Sequence, residues 1–138
     1  KDIEEALATS GEVVQPGNAL LIATGWDSHW AQADFMTHSP HFRYSAVKWV
    51  VEHQCSLLGS DAANWSDLTE KPSFFPMFFR SDTLLLAPLV NLTKIATPRI
   101  NLIVLPLRIR RACASPCRAI AIIPRCDSQG RDKTRAAS

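Results

Sequence analysis

Apolar residues gather in five short runs along the chain, each bounded by glycine, proline or polar residues. The runs span residues 19–24, 55–61, 83–87, 99–107 and 118–123. Their length and their flanking residues favour strands over helices. The first run, ALLIAT, is almost continuously apolar, which is typical of a strand buried on both faces. Pro88 directly follows the third run, so that strand should end there or lie at a sheet edge.

Two further segments have the character of helices. Residues 2–10 are rich in helix formers behind Asp2, and Gly11 follows as a stop. Residues 43–53 carry apolar side chains at roughly helical spacing. Because this second helix separates two apolar strands, the order is that of a βαβ unit. The sequence therefore predicts an α/β fold, with a mixed sheet and flanking helices.

The size and composition are those of one globular domain. The chain has 138 residues, of which 46% are hydrophobic and 20% charged. We expect one domain over residues 1–126 and a polar, basic, disordered tail over 127–138. No apolar run approaches the roughly 18 residues of a membrane span, and no leader is recognisable, so a cytoplasmic protein without a membrane partner is expected. The first residue is not Met, which indicates a fragment or a processed product.

Charge is distributed unevenly. Residues 1–93 carry 5 Lys/Arg and 11 Asp/Glu, whereas residues 94–138 carry 10 and 2, giving net charges of −6 and +8. Two interpretations are open: oppositely charged faces that meet in an oligomer or stay solvated, or a basic region that binds nucleic acid. The basic residues alternate with strand-like runs instead of lying on a helix with aromatics, which favours the first. A homo-oligomer is expected, and no nucleic-acid partner.

The cysteines do not form a recognisable metal site. They are Cys55, Cys113, Cys117 and Cys126. Without a secretory leader, free buried thiols are expected rather than disulfides. The last three lack the paired C-x2-C spacing of structural zinc sites. His38 and His41 are three residues apart in a predicted loop next to Pro40, which is poor geometry for a helical pair of ligands.

Five blocks, taken in order, resemble the C-terminal portion of the cyclase family, which contains kynurenine formamidase and isatin hydrolase. They are VQPGNALLIATGW (14–26), LLGSD (57–61), LVNL (89–92), PLRI (106–109) and SPCRAIA (115–121). The resemblance implies a β/α swivelling-type fold, here as an incomplete copy, in dimers or tetramers. It also implies hydrolysis of an aryl formamide or cyclic amide by water on zinc or manganese, since such an ion lowers the pKa of its bound water.

The chain departs from that family at the metal ligands. The family motif H-x3-H-x-D-x3-H does not occur in it. Ala87 stands where many members have Glu, and the position of a further His falls at residues 75–77, which are Phe-Pro-Met. Neither alanine nor these residues can replace His and carboxylate as ligands of zinc or manganese. No metal ligand is therefore assigned.

Three hypotheses about function follow. The first is a cyclase-like, metal-dependent hydrolase that is incomplete or impaired in this chain. The second is a non-catalytic relative that keeps the fold for oligomerisation or for ligand binding, without a metal. The third is nucleic-acid binding through the basic C-terminal third, which predicts affinity that falls steeply with salt.

Three residues are candidates for contact with a small aromatic amide substrate: Trp26, Trp30 and Asp61. The two tryptophans, with His29 between them, would line an aromatic pocket for an aryl ring. The alternative is that both indoles are core or interface anchors. Asp61 ends a strand beside a loop, a common place for a functional carboxylate; the alternative is a structural cap or an ion pair.

Overall fold

The chain divides into two compact units, Lys1–Pro98 and Arg99–Ser138. The computed structural model describes residues 2–65 and 73–123. The tail predicted at 127–138 therefore lies outside the described residues, and a single domain over residues 1–126 stays a prediction. In the described ranges, no helix combines the length and the apolar character needed to cross a membrane.

Helices and strands alternate in the first unit, and the second unit is a hairpin. In chain order the elements are α1 (Asp2–Ser10), β1 (Ala19–Ile22), a 3₁₀ helix (Trp26–His29), α2 (Tyr44–Glu52), β2 (Leu57–Ser60), α3 (Phe75–Phe78), β3 (Leu84–Leu86), a second 3₁₀ helix (Leu92–Lys94), β4 (Asn101–Pro106) and β5 (Cys117–Ile122). The two predicted helices and five predicted strands are confirmed to within a few residues. The single-turn helix α3 was not predicted, because four residues are too few to show helical periodicity.

Strands β1, β2 and β3 form a parallel sheet in that order. All four residues of the central strand β2 are buried, whereas β1 at the edge is only half-buried and its first residue is exposed. The prediction that the ALLIAT strand is buried on both faces is therefore wrong. A central strand has neighbours on both sides, and an edge strand has only one.

The core of the first unit lies where α2 meets the sheet. Val47 and Val50 are both fully buried, and their spacing of three residues puts them on one face of α2. Val47 belongs to a cluster with Phe74 and Phe78, and Val50 belongs to a cluster with Leu58 and Cys55. Each fully buried aliphatic side chain contributes about 1.5–3 kcal/mol, so α2 is held firmly over the sheet.

The cysteines divide by unit. Cys55 is buried, as predicted, and burial raises the pKa of its thiol. Cys113 and Cys117 are exposed, so the prediction of burial is wrong for them; all three are free thiols. Cys126 lies outside the described residues.

The second unit is the antiparallel hairpin β4–β5. Six residue pairs are in register, with Ile103 opposite Ile120 and Leu105 opposite Arg118. Most of its side chains are exposed, although both strands are strongly apolar. The predicted α/β class is thus confirmed, with the parallel and the antiparallel strands in two separate sheets.

Candidate functional site at the carboxyl edge of the sheet

Four polar residues meet where the three parallel strands end. Thr24 and Asp27 follow β1, Asp61 follows β2, and Asn91 follows β3. We call these four residues the carboxyl-edge cluster. In open α/β sheets, ligands bind outside the carboxyl ends of the strands, so this edge is where a functional site is expected.

Asp61 is the buried centre of the cluster. It has no exposed surface. Its Oδ1 accepts hydrogen bonds from the backbone amide of Thr24 at 2.8 Å, from the Thr24 hydroxyl at 2.9 Å and from the Ser60 hydroxyl at 3.3 Å. Its Oδ2 is buried and has no donor within hydrogen-bond distance and geometry among residues 2–65 and 73–123. One carboxylate oxygen therefore anchors the loop after β1, and the other keeps its acceptor capacity.

Asp61 stays ionised in spite of its burial. Desolvation by itself would raise the pKa of this carboxyl group. Hydrogen bonds from the amide and hydroxyl of Thr24 and from the amides of Gly25 and Asp27 together outweigh desolvation, so the pKa of Asp61 is lowered overall. The loop after β1 and the charge on Asp61 therefore stabilise each other.

The end of β2 is bonded to both neighbouring strands. The Ser60 hydroxyl donates to the carbonyl of Ile22 at 2.9 Å, next to the end of β1. On the other side, the carbonyl of Ser60 accepts from the amide of Leu89 at 2.8 Å. These bonds fix the three strand ends relative to one another.

Asp27 connects the two outer loops. Its Oδ2 accepts a hydrogen bond from the backbone amide of Asn91 at 2.7 Å. Asn91 has a φ of 65°, a left-handed conformation that asparagine adopts more readily than most residues. The loop after β3 is thereby drawn to the loop after β1.

An aromatic cluster follows directly in the chain, formed by Trp26, His29, Trp30 and Phe35. The Trp26 ring stacks on His29 with a centroid distance of 4.4 Å, and its Nε1 donates to the carbonyl of Phe35 at 3.0 Å. Trp30 meets the Phe35 ring edge-on at 5.0 Å and remains 53% exposed. Trp26 is thus a half-buried indole fixed by a hydrogen bond, and Trp30 is an exposed one.

The three residues singled out from the sequence are connected through this arrangement. The amide of Trp26 donates to the Thr24 hydroxyl at 3.3 Å, and that hydroxyl donates to Asp61. Trp26 and Trp30 both pack on Phe35. Asp61 and the two tryptophans therefore belong to one continuous structure, with Asp61 buried and Trp30 at its surface.

Sequence reasoning missed Thr24, Asp27 and Asn91. The first two could have been found from their position, because Thr24 is the last residue of the first predicted strand and Asp27 follows three residues later. The role of Asn91 could not have been found from the sequence, because Asn91 contributes a backbone amide, which any residue other than proline carries.

The cluster does not suit zinc or manganese. Within residues 2–65 and 73–123, no group of three or more His, Cys, Asp and Glu side chains is placed to hold a metal ion. Two carboxylates lie at the carboxyl edge, and both already accept hydrogen bonds from the protein. A catalytic zinc takes three protein ligands, so these residues do not form such a site.

The fold and this edge define an α/β protein with an aromatic, acidic site beyond its strand ends. Residues 1–67 match the family model described as "Putative cyclase". A solved structure, described as an isatin hydrolase bound to the product analogue thioisatinate, superposes with a TM-score of 0.72 at 26% identity, over 89% of this chain and 51% of that one. The predicted resemblance to the cyclase family is thereby confirmed.

This chain spans about half the length of the isatin hydrolase that it matches. No curated protein matches it. The similarity is thus to cyclase-type hydrolases at the level of the family.

Proposed function

We propose that this chain carries the ring-binding part of a cyclase-like amide hydrolase. The observation that supports the proposal best is the open Trp30 indole, attached through Phe35 and Trp26 to the hydrogen-bonded carboxyl edge. An exposed indole beside a rigid polar edge suits a ligand with an aromatic ring and an amide or carboxylate group. The substrate class is an aryl formamide or a cyclic amide.

The residues have separate roles in this proposal. Trp30 contacts the aryl ring, and Trp26 holds the aromatic cluster in place through its bond to Phe35. Asp61 is a positioning residue: it has no exposed surface, and it orders the loop that carries Trp26. A bound zinc or manganese ion would supply an activated water, and the described residues contain no group of three or more side chains placed to hold it.

A non-catalytic ligand-binding protein is the second candidate. It is favoured by Ala87 and by the Phe-Pro-Met of residues 75–77, which stand where the cyclase resemblance calls for a Glu and a His respectively. On this alternative the aromatic cluster binds a ring and no bond is broken. A homo-oligomer in the cytoplasm is part of either proposal.

Ligand titration of the full chain tests the ring-binding role. We expect thioisatinate and isatin to quench tryptophan fluorescence. Trp30→Ala should weaken binding by roughly threefold to tenfold, the equivalent of an aromatic contact of about 0.5–1.5 kcal/mol. Trp30→Phe keeps an aromatic ring and serves as the matched control, with most of the affinity retained. Equal losses in the two variants, or no quenching in the parent chain, would refute ring binding at this cluster.

An activity assay separates the two candidates. Isatin is incubated with the chain in the presence of added zinc or manganese, and ring opening is followed by absorbance. Turnover would support the hydrolase and would mean that other residues complete a metal site. Binding without turnover would support the non-catalytic candidate. Salt-dependent binding of mixed DNA or RNA would favour the nucleic-acid hypothesis over both.

A further inference from the structure

We propose that His29 recognises the N–H group of a bound amide through its ring nitrogen Nε2. The inference rests on the proposed ring-binding function and deepens it, because it names the group that makes a ligand suitable: an amide nitrogen that carries a hydrogen beside an aromatic ring. Aryl formamides and cyclic amides such as isatin both have this group.

His29 lies in the aromatic cluster to which the ring-binding role is assigned. It ends the 3₁₀ helix Trp26–His29 and directly precedes the exposed Trp30. Its ring stacks on Trp26 with a centroid distance of 4.4 Å and an interplanar angle of 15°. Because Trp26 is itself bonded to the carbonyl of Phe35, the imidazole is held in place and little ordering is needed when a ligand binds.

The hydrogen bonds of Ser28 determine which nitrogen of His29 carries the proton. The Ser28 hydroxyl donates its single hydrogen to the carbonyl of Gly25 at 2.8 Å. The same hydroxyl oxygen lies 3.1 Å from Nδ1 of His29. Since its hydrogen is already donated, the oxygen can only accept there, and Nδ1 is the donor. A neutral imidazole has a single N–H, which is therefore on Nδ1.

Nε2 of the neutral His29 ring is then an acceptor with an unused lone pair. The hydrogen bond that this ring makes within residues 2–65 and 73–123 is at Nδ1. His29 is half-buried, and in the same ranges Asp61 Oδ2 is the only buried side-chain nitrogen or oxygen without a partner. Nε2 is therefore open to solvent and can meet a ligand.

An acceptor fixed beside aromatic rings favours ligands that bring a donor. The N–H of an aryl amide satisfies Nε2. An N-methylated amide places a methyl group there instead, and a lactone or ester places an oxygen that can only accept. Either would leave Nε2 desolvated and unpaired, which a binding site disfavours. His29 thus selects secondary amides over N-alkylated amides and esters of the same shape.

Binding of isatin and N-methylisatin to the full chain tests the inference. Both affinities are measured by quenching of tryptophan fluorescence, with a chelator present so that no ring opening interferes. Isatin should bind roughly threefold to tenfold more tightly, the range of one neutral hydrogen bond. His29→Phe keeps a ring that can stack on Trp26 and removes both nitrogens. It should weaken isatin alone, so that the two compounds bind equally.

Two further variants serve as controls. His38→Phe makes the same change at an exposed histidine whose Nδ1 is paired with Asp34, and it should leave both affinities unchanged. Trp30→Ala should weaken both compounds by the same factor and preserve the preference for isatin, because Trp30 contacts the ring and not the N–H.

NMR of the labelled ring nitrogens of His29 tests the position of the proton without a ligand. With the ring neutral, Nδ1 should be protonated and Nε2 should not, and added isatin should shift mainly the Nε2 signal. Ser28→Ala removes the acceptor that holds the proton on Nδ1. This variant should contain both tautomers and show a weaker preference for isatin.

The outcomes separate this inference from the ring-binding proposal. Equal affinity of the parent chain for isatin and N-methylisatin, with both weakened by Trp30→Ala, would leave ring binding intact and overturn recognition by His29. A preference for isatin that survives in His29→Phe would also overturn it, and so would a proton on Nε2 in the parent chain. Failure of the parent chain to bind either compound would overturn both proposals.

Discussion

The two units use apolar strands in opposite ways. In the first unit, every residue of β2 is buried between two neighbouring strands. In the second, β5 contains two isoleucines and two alanines, yet it has one neighbour and exposes most of its residues. An apolar run therefore predicts a strand, but the number of its neighbours decides whether the strand is buried.

The units also differ in how polar groups are used. Buried hydroxyl and carboxylate groups cross-link the first unit, as Asp61 does to Thr24 and Ser60 does to Ile22. The hairpin is held by its backbone pairing, with a few neighbouring turn bonds. Changes inside the first unit should therefore cost more stability than changes to the exposed side chains of the hairpin.

The largest expected difference comes from the same truncation in the two units. Leu58→Ala removes a fully buried side chain from β2 and should lower the free energy of unfolding by about 2–5 kcal/mol. Leu105→Ala truncates a side chain of β4 that is 56% exposed and should change it by no more than about 0.5 kcal/mol. Urea denaturation at a concentration where the chain is monomeric measures both.

The control is a second truncation in the hairpin. Ile122→Ala removes a side chain of β5 that is 46% exposed, and it should also cost far less than Leu58→Ala. A loss for either hairpin variant as large as that of Leu58→Ala would show that the hairpin side chains are buried in the folded chain.

Much of the fold could be predicted from local pattern. Helix α1 was expected at its observed bounds because helix formers lie between Asp2 and Gly11. The extent of burial was not predictable in the same way. The run at residues 19–24 looks more apolar than β2, yet it forms the edge of the sheet, and a position within a sheet depends on distant parts of the chain.

The candidate site was only partly accessible to sequence reasoning. Trp26, Trp30 and Asp61 were found because their side chains are chemically distinctive. The hydrogen bonds that connect Asp61 to the loop carrying Trp26 were not predicted. Thr24 and Asp61 are 37 residues apart and meet only through the parallel pairing of β1 with β2. Whether the three contact a ligand stays a prediction.

Removing the Asp61 carboxylate should have the next largest effect. Asp61→Asn should cost about 1–3 kcal/mol at neutral pH, because the ionised acceptor of the Thr24 amide and hydroxyl is lost. The pKa of Asp61 is lower in the folded than in the unfolded chain. Its contribution to stability is therefore present above the unfolded value, about 3.9, and lost as pH falls through the lower folded value.

Asp34→Asn is the matched control, because it removes the same charge from an exposed side chain next to His38. It should change stability by less than about 1 kcal/mol. Denaturation is followed from neutral to acid pH for the parent and both variants. If Asp61→Asn lost as much stability on acidification as the parent, the carboxylate would not be the acid-sensitive group.

The smallest effect concerns the attachment of β3 to the sheet. The buried Thr83 hydroxyl donates to the carbonyl of Cys55 at 2.9 Å, and the next amide, that of Leu84, donates to the carbonyl of Ser56 at 2.9 Å. Thr83→Val keeps the shape and removes only the hydroxyl, at a cost of about 1 kcal/mol. Hydrogen exchange at Leu84 should therefore become about fivefold faster.

The hairpin supplies the internal reference for that measurement. The amide of Leu107, which bonds to the carbonyl of Pro116, should exchange at an unchanged rate if the two units open independently. Thr93→Val makes the same chemical change at an exposed residue and should leave both amides unaffected. Faster exchange at both Leu84 and Leu107 would mean that one opening event covers both units. The sheet and the hairpin would then not differ in local stability.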